Sequence, residues 1–229
     1  MLQPKKKISR RELKEDALIS SYAKVTKYYE EHRRTISIAV TAVVAVVILA
    51  GIYLKNRADT NERASLQLSQ VTPLFDSGQF QLAIDGVPAR NIQGLKAIVE
   101  ESGSTPVGEI ARFYLASAYL NLGKYQEALE LFEDFSPSDD QLATGRYAGI
   151  GACQDGLGEY AKAGASYEKA AGVNAKDLRV PEYLSNAARA YARAGEKERA
   201  LEIYRRLKKN HSTTVYGRDA DRYIAQFSL

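Results

Sequence analysis

Three glycines, Gly123, Gly158 and Gly195, recur 35 and 37 residues apart, and each lies inside the same surrounding pattern. In FYLASAYLNLGKYQEALELFEDF, Leu115 and Ala116 precede Tyr119, Gly123, Tyr125, Ala128 and Phe132. In YAGIGACQDGLGEYAKAGASYEKAA the matching places hold Ile150, Gly151, Gly158, Tyr160, Ala163, Tyr167 and Ala170. In YLSNAARAYARAGEKERALEIYRRL they hold Ala187, Ala188, Tyr191, Gly195, Ala200 and Tyr204. Self-similarity at this period means that each unit is one supersecondary piece that cannot bury its apolar face alone and must stack on its neighbours. The spacing predicts a pair of antiparallel helices per unit, with the glycine in the turn, where a left-handed backbone carries no Cβ penalty. Small residues at Ala116, Gly151 and Ala188 are expected opposite Ala128, Ala163 and Ala200, with aromatics filling the space between pairs.

The fold class that follows is all-α, a helical-hairpin solenoid over residues 64–229. Its repeats fall at about 109–142, 144–177 and 181–214. A degenerate unit at about 64–100 centres on LFDSGQFQLAI, with Gly78, Phe80 and Ala83 in register, and leads into an irregular stretch through Gly103, Ser104 and Pro106. A closing helix at about 215–227 is expected to turn Val215, Ala220, Tyr223, Ile224 and Phe227 inward, because a terminal unit must shield the stack from water.

Ahead of the repeats, Thr35 to Leu54 form 20 consecutive residues without a charge. At 1.5 Å per residue they span about 30 Å, the thickness of a bilayer's hydrocarbon core. The segment is longer than the apolar region of a signal peptide, and 34 residues precede it, so it reads as an uncleaved transmembrane helix. Residues 1–34 carry ten Lys or Arg against five Asp or Glu, which places this tail in the cytoplasm and the repeats across the membrane. The tail's Leu13, Ala17, Leu18, Tyr22, Val25 and Tyr29 recur at helical spacing, residues 55–63 form a juxtamembrane linker, and Ser37, Thr41 and Ala45 make a small-residue stripe on which another helix can pack.

Residues 55–229 are close to neutral, with 22 basic and 23 acidic side chains, which argues against nucleic-acid binding. One cysteine, Cys153, excludes an internal disulfide, and His32 and His211 stand apart from any metal-ligand spacing. No nucleophile with a base and no phosphate loop occurs, so no catalytic residue, cofactor or metal is assigned and the chain does not read as an enzyme.

These repeat positions resemble tetratricopeptide repeats (TPRs), from about residue 109 to 214. Gln154 and Lys197 depart from the usual aromatics, Phe135 and Leu207 from the usual small residues, and the repeat-end proline is missing. The resemblance implies a concave groove lined by the first helix of each unit. On this chain its positions are Phe113, Ser117, Leu120 and Asn121, then Ala148, Ala152 and Asp155, then Glu182, Ser185, Arg189 and Ala192. The basic clamp by which some TPR proteins hold acidic chain ends is absent, since Phe113, Ser117, Gly149, Glu182 and Asn186 occupy its places. The layout of basic tail, anchor and repeat array resembles the ancillary subunit of the SecYEG translocon and the cell-division coordinator family. That implies a single-pass protein of the bacterial inner membrane with a periplasmic repeat domain and, as partners, translocon subunits and chaperones. The competing expectation is a scaffold or assembly factor for another membrane or envelope complex. Self-association stays open.

Overall fold

Among the described residues five glycines take a left-handed backbone, and four of them, Gly78, Gly123, Gly158 and Gly195, close helix ends in the same way. At Gly123, the Lys124 N–H donates to the Tyr119 carbonyl (2.9 Å) and the Gly123 N–H to the Leu120 carbonyl (3.0 Å), the paired bonds of a Schellman stop. The same two bonds recur at Gly78, Gly158 and Gly195. The sequence repeat is therefore a repeat of one turn, and the unit built on Gly78 shares it.

The computed structural model describes residues 10–227 and divides into two units, Met1–Asn56 and Arg57–Leu229. Helix α1 runs from Arg10 to Asp76. In the first unit its apolar stretch is uncovered on every side, with Ile38, Val43, Val46 and Leu49 all more than half exposed. Tyr22 and Tyr29 are exposed too. Lys5, Lys6 and Lys7, and the side chains of Leu13, Ala17, Leu18, Val25 and Phe227, lie outside the described residues.

In the second unit the end of α1 is followed by α2 (Phe80–Asp85), α3 (Leu95–Ser102), α4 (Pro106–Asn121), α5 (Tyr125–Asp134), α6 (Asp140–Gly156), α7 (Tyr160–Val173), α8 (Val180–Arg193), α9 (Lys197–Asn210) and α10 (Val215–Phe227). The chain folds as a TPR-like solenoid of hairpins α4/α5, α6/α7 and α8/α9. Residues 55–63, read as a linker, are helical. Arg57 already belongs to the folded unit, donating from Nε and Nη2 to the Ser104 carbonyl at 3.2 and 3.0 Å.

The stretch read as irregular has its own order. Gly86–Val87 pairs antiparallel with Ile92–Gln93 around a 3-10 turn at Pro88–Arg90, and Asn91 takes the left-handed conformation. Helix α3 follows. Sequence periodicity missed this hairpin because two-residue strands carry no alternation. Helices α4 and α10 start alike: Thr105 and Thr214 each cap with Oγ1, accepting from the N–H of Gly108 and Gly217 at 3.1 Å. A Cβ on either glycine would run into the preceding carbonyl, of Ser102 or His211.

Packing between hairpins is aromatic on glycine. The Phe132 ring fills the space above Gly149, Tyr125 that above Gly156, and Tyr191 that above Gly164. Ala116, Ala128, Ala163, Ala188 and Ala200 are fully buried, as close helix crossings require. Of the departures, Gln154 is buried but paired, its Oε1 accepting from Ser166 Oγ at 2.7 Å. Helix α10 closes the stack with Ala220 buried and Tyr223 stacked on Tyr204 at 4.7 Å. Val215 is exposed, against expectation, and Tyr216 is half-buried in its place. Tyr216, Ala220, Tyr223 and Ile224 share one face at steps of four, three and one, whereas Val215 is rotated off it by about 100°.

Candidate partner-binding face

The first helices α4, α6 and α8 carry the positions predicted to line a groove, and the structure sorts those positions into three kinds. Some are packing residues. The Phe113 ring lies edge-on to Phe132 at 5.6 Å and tilted on Phe135 at 5.4 Å, and it fills the space beside Gly145. It is half-buried, not the open aromatic expected, because Phe135 stands where a small residue is usual and draws it inward. Leu120 packs against the same buried cluster, Ala148, Ala152 and Ala192 flank the core around Tyr191, and Ser185 is buried.

A second kind bonds within its own helix. Ser117 Oγ donates to the Phe113 carbonyl and Asn121 Nδ2 to the Ser117 carbonyl, each at 2.8 Å. Asn121 is exposed, and Glu182 is half-buried. The third kind surrounds a cleft of about 180 Å³ lined by Asp155, Tyr167, Asn186, Arg189, Ala190 and Arg193. Tyr167 and Ala190 form its buried floor. Arg189 is exposed and donates to Asn186 Oδ1 at 2.7 Å.

Asp155 is not free. Arg193 Nη1 reaches both its oxygens at 2.7 and 2.8 Å, Arg193 Nη2 donates to the Tyr160 hydroxyl at 2.8 Å, and the guanidinium lies 4.0 Å from the Tyr160 ring centroid. A matching clamp sits one helix further on. Tyr191 donates to Glu168 Oε2 at 2.7 Å, Arg199 donates to the same oxygen at 2.8 Å, and the Arg199 guanidinium lies 4.0 Å from the Tyr191 ring centroid. Both clamps tie the second repeat to the third through an arginine, a tyrosine and a carboxylate. Nothing in the sequence period marks them, because Asp155 and Arg193 are 38 residues apart and meet only when the repeats stack.

The buried phenol and thiol beneath this face are held in their uncharged forms. Burial pushes the Tyr167 phenol up to about 12, and the Asp155 charge adds to the rise. Burial also pushes the Cys153 thiol up to about 12, so it is a packing group with no thiolate character at neutral pH. Among the described residues, no three His, Cys, Asp or Glu side chains converge as a metal would require. The face offers a shallow cleft, hydrogen-bonding groups and two exposed guanidinium side chains, of Arg189 and Arg193.

Three tetratricopeptide repeat models match the sequence, at residues 95–143, 145–177 and 182–214. Among solved structures, the fold is similar to a crystal structure of nearly identical TPR-like repeats assigned to a Podosopora anserina kinesin light chain. The TM-score is 0.57 and the identity 20%, over 73% of this chain and 85% of that one. Comparison with curated proteins gives no match.

Proposed function

Because the chain belongs to the tetratricopeptide-repeat proteins, we propose that it is a membrane-anchored protein-interaction module whose α4, α6 and α8 face binds a protein partner. The observation that carries the anchor is residues 35–54: a charge-free helix, apolar on all sides, with no protein packed against it. In water such a surface would be an aggregation site, and in lipid it is matched. The basic excess before it orients the tail to the cytoplasm and the repeats to the periplasm of a bacterial inner membrane. On that side, translocon subunits and the chaperones that receive emerging chains are the partners the layout favours. Asn121, Glu182 and Arg189 are the contact residues, since they reach solvent while Phe113, Leu120 and Ser185 are occupied by the core. Catalysis has no part in this role.

The test is crosslinking in living cells, gentle detergent extraction of the tagged full-length chain, and mass spectrometry of what accompanies it, in wild type and Arg189→Glu. Translocon subunits and periplasmic chaperones are expected, and depleted in the variant. Enrichment of a different membrane complex would make the protein a scaffold for that complex. Release of the chain by an alkaline carbonate wash would refute the anchor.

A further inference from the structure

On the far side of α4 from Phe113 and Ser117 lies a second cleft, of about 310 Å³, between α3, α4 and α5. Leu115 and Tyr119, two residues on from that first pair, line it. At about 100° per residue this puts them on the opposite face of the helix. Leu131 of α5 completes an apolar floor.

The rim is acidic. Glu100, Glu127, Glu130 and Asp134 surround the floor, with Lys96 the one cation among the lining residues, and all four carboxylates are exposed. Among the described residues none of the four is in an ion pair, and Glu130 takes only a hydrogen bond from Gln126 Nε2, at 3.0 Å. Tyr119 already carries a cation on its ring, Lys124 Nζ at 5.4 Å from the centroid. This charge is not a requirement of the repeat. Where the first repeat has Glu127 and Asp134, the second has Lys162 and Lys169 and the third Arg199 and Arg206. These two helix positions are thus acidic in the first repeat and basic in the next two.

We infer that the α3–α4–α5 cleft is a second docking surface, and that its occupant is a Lys- or Arg-flanked apolar segment of a partner protein. The apolar side chain seats on Leu115, Tyr119 and Leu131, and the flanking cations meet the carboxylate rim. Such pairing at a partly desolvated rim sets both affinity and rate of encounter. The surface lies opposite the α4, α6 and α8 face and does not depend on it, so the protein can hold two segments at once.

The test uses the full chain in neutral-detergent micelles. It is titrated with a fluorescent helical peptide of alternating leucine and lysine faces and with its glutamate counterpart, empty micelles giving the baseline for fluorescence anisotropy. Saturable binding of the lysine peptide is expected. It should weaken about ten-fold in Glu127→Lys/Glu130→Lys and in high salt, and stay unchanged in Arg189→Glu. Should the charge-reversed protein lose helicity, Glu127→Gln/Glu130→Gln carries the same expectation with a smaller loss. Equal binding by the folded variants, equal binding of the glutamate peptide, or loss in Arg189→Glu alone would overturn the proposal. So would a concentration-dependent dimer dissolved by Leu178→Asp. Leu178, 95% exposed between Asp177 and Arg179, is the chain's own apolar candidate, and that result would make the occupant a second copy.

Discussion

Replacing Gly164 by alanine sets two effects of known sign against each other. Gly164 lies in the interior of α7, where alanine in place of glycine gains about 1 kcal/mol from backbone entropy. A Cβ there would lie 2.6, 2.7 and 2.8 Å from three atoms of the Tyr191 ring. That ring is fully buried, its hydroxyl is fixed on Glu168, and Arg199 covers one face. It has nowhere to go without breaking the clamp between the second and third repeats. Overpacking of this kind costs about 1–3 kcal/mol, and a pinned ring belongs at the upper end. The net expectation is destabilisation by about 2 kcal/mol. Gly172, in the same helix with nothing within 4 Å of its Cβ position, supplies the control: alanine there should be neutral or stabilise by up to about 1 kcal/mol. Urea unfolding followed by far-UV circular dichroism measures both, with shifts of the midpoint at constant slope. In a double-mutant cycle, Tyr191→Leu should relieve the clash and couple to Gly164→Ala by about 3 kcal/mol, the overpacking cost without the helix gain. Gly164→Ala as stable as Gly172→Ala, or additive with Tyr191→Leu, would refute the packing argument.

At Gly158 and Gly195 the space is open but the backbone is left-handed (φ 80° and 84°), so alanine should cost about 1–2 kcal/mol through strain alone, and asparagine less, by the same urea midpoints. Thr144 is fully buried and its Oγ1 has no hydrogen-bond partner among the described residues, so Thr144→Val should be neutral or stabilise by about 1 kcal/mol, read as a rise in thermal midpoint. Cys153 titrates at 9.0 when unfolded and at about 12 in the fold, so the folded state favours the protonated thiol. Its stabilising contribution is complete below pH 9 and is lost as pH rises from there toward 12, with a slope of at most about 1.4 kcal/mol per unit. Cys153→Ala should flatten that loss relative to wild type between pH 9 and about 10 in a pH series of urea melts.

The repeat turns could be read from the sequence because each rests on one residue type with one physical reason: glycine at Gly123, Gly158 and Gly195 reports a left-handed helix end wherever it occurs in that pattern. The long apolar helix over residues 35–54 was equally legible, since twenty consecutive uncharged residues form an unbroken apolar run. What could not be read depends on pairs distant in sequence. Phe113 was placed on an open groove by its repeat position, but Phe135 and Gly145, outside the repeat consensus, give its ring a pocket. Asp155 was expected to face a partner and instead holds Arg193. The strand pair at Gly86–Val87 and Ile92–Gln93 was too short to leave a periodic trace, although Asn91 next to a proline turn was a signal available in principle. The acidic cleft was hidden for a related reason: Glu100 of α3 meets Glu127, Glu130 and Asp134 of α5 only once the helices stack.

Site-directed photocrosslinking in living cells tests the central claim most directly. A benzophenone amino acid is placed at Asn121, at Arg189 and, as a control on the second-helix side, at exposed Glu202 of α9. The account predicts that Asn121 and Arg189 capture the same membrane-associated protein and that Glu202 does not. Adducts of equal yield from all three positions, or none from the first two, would contradict it.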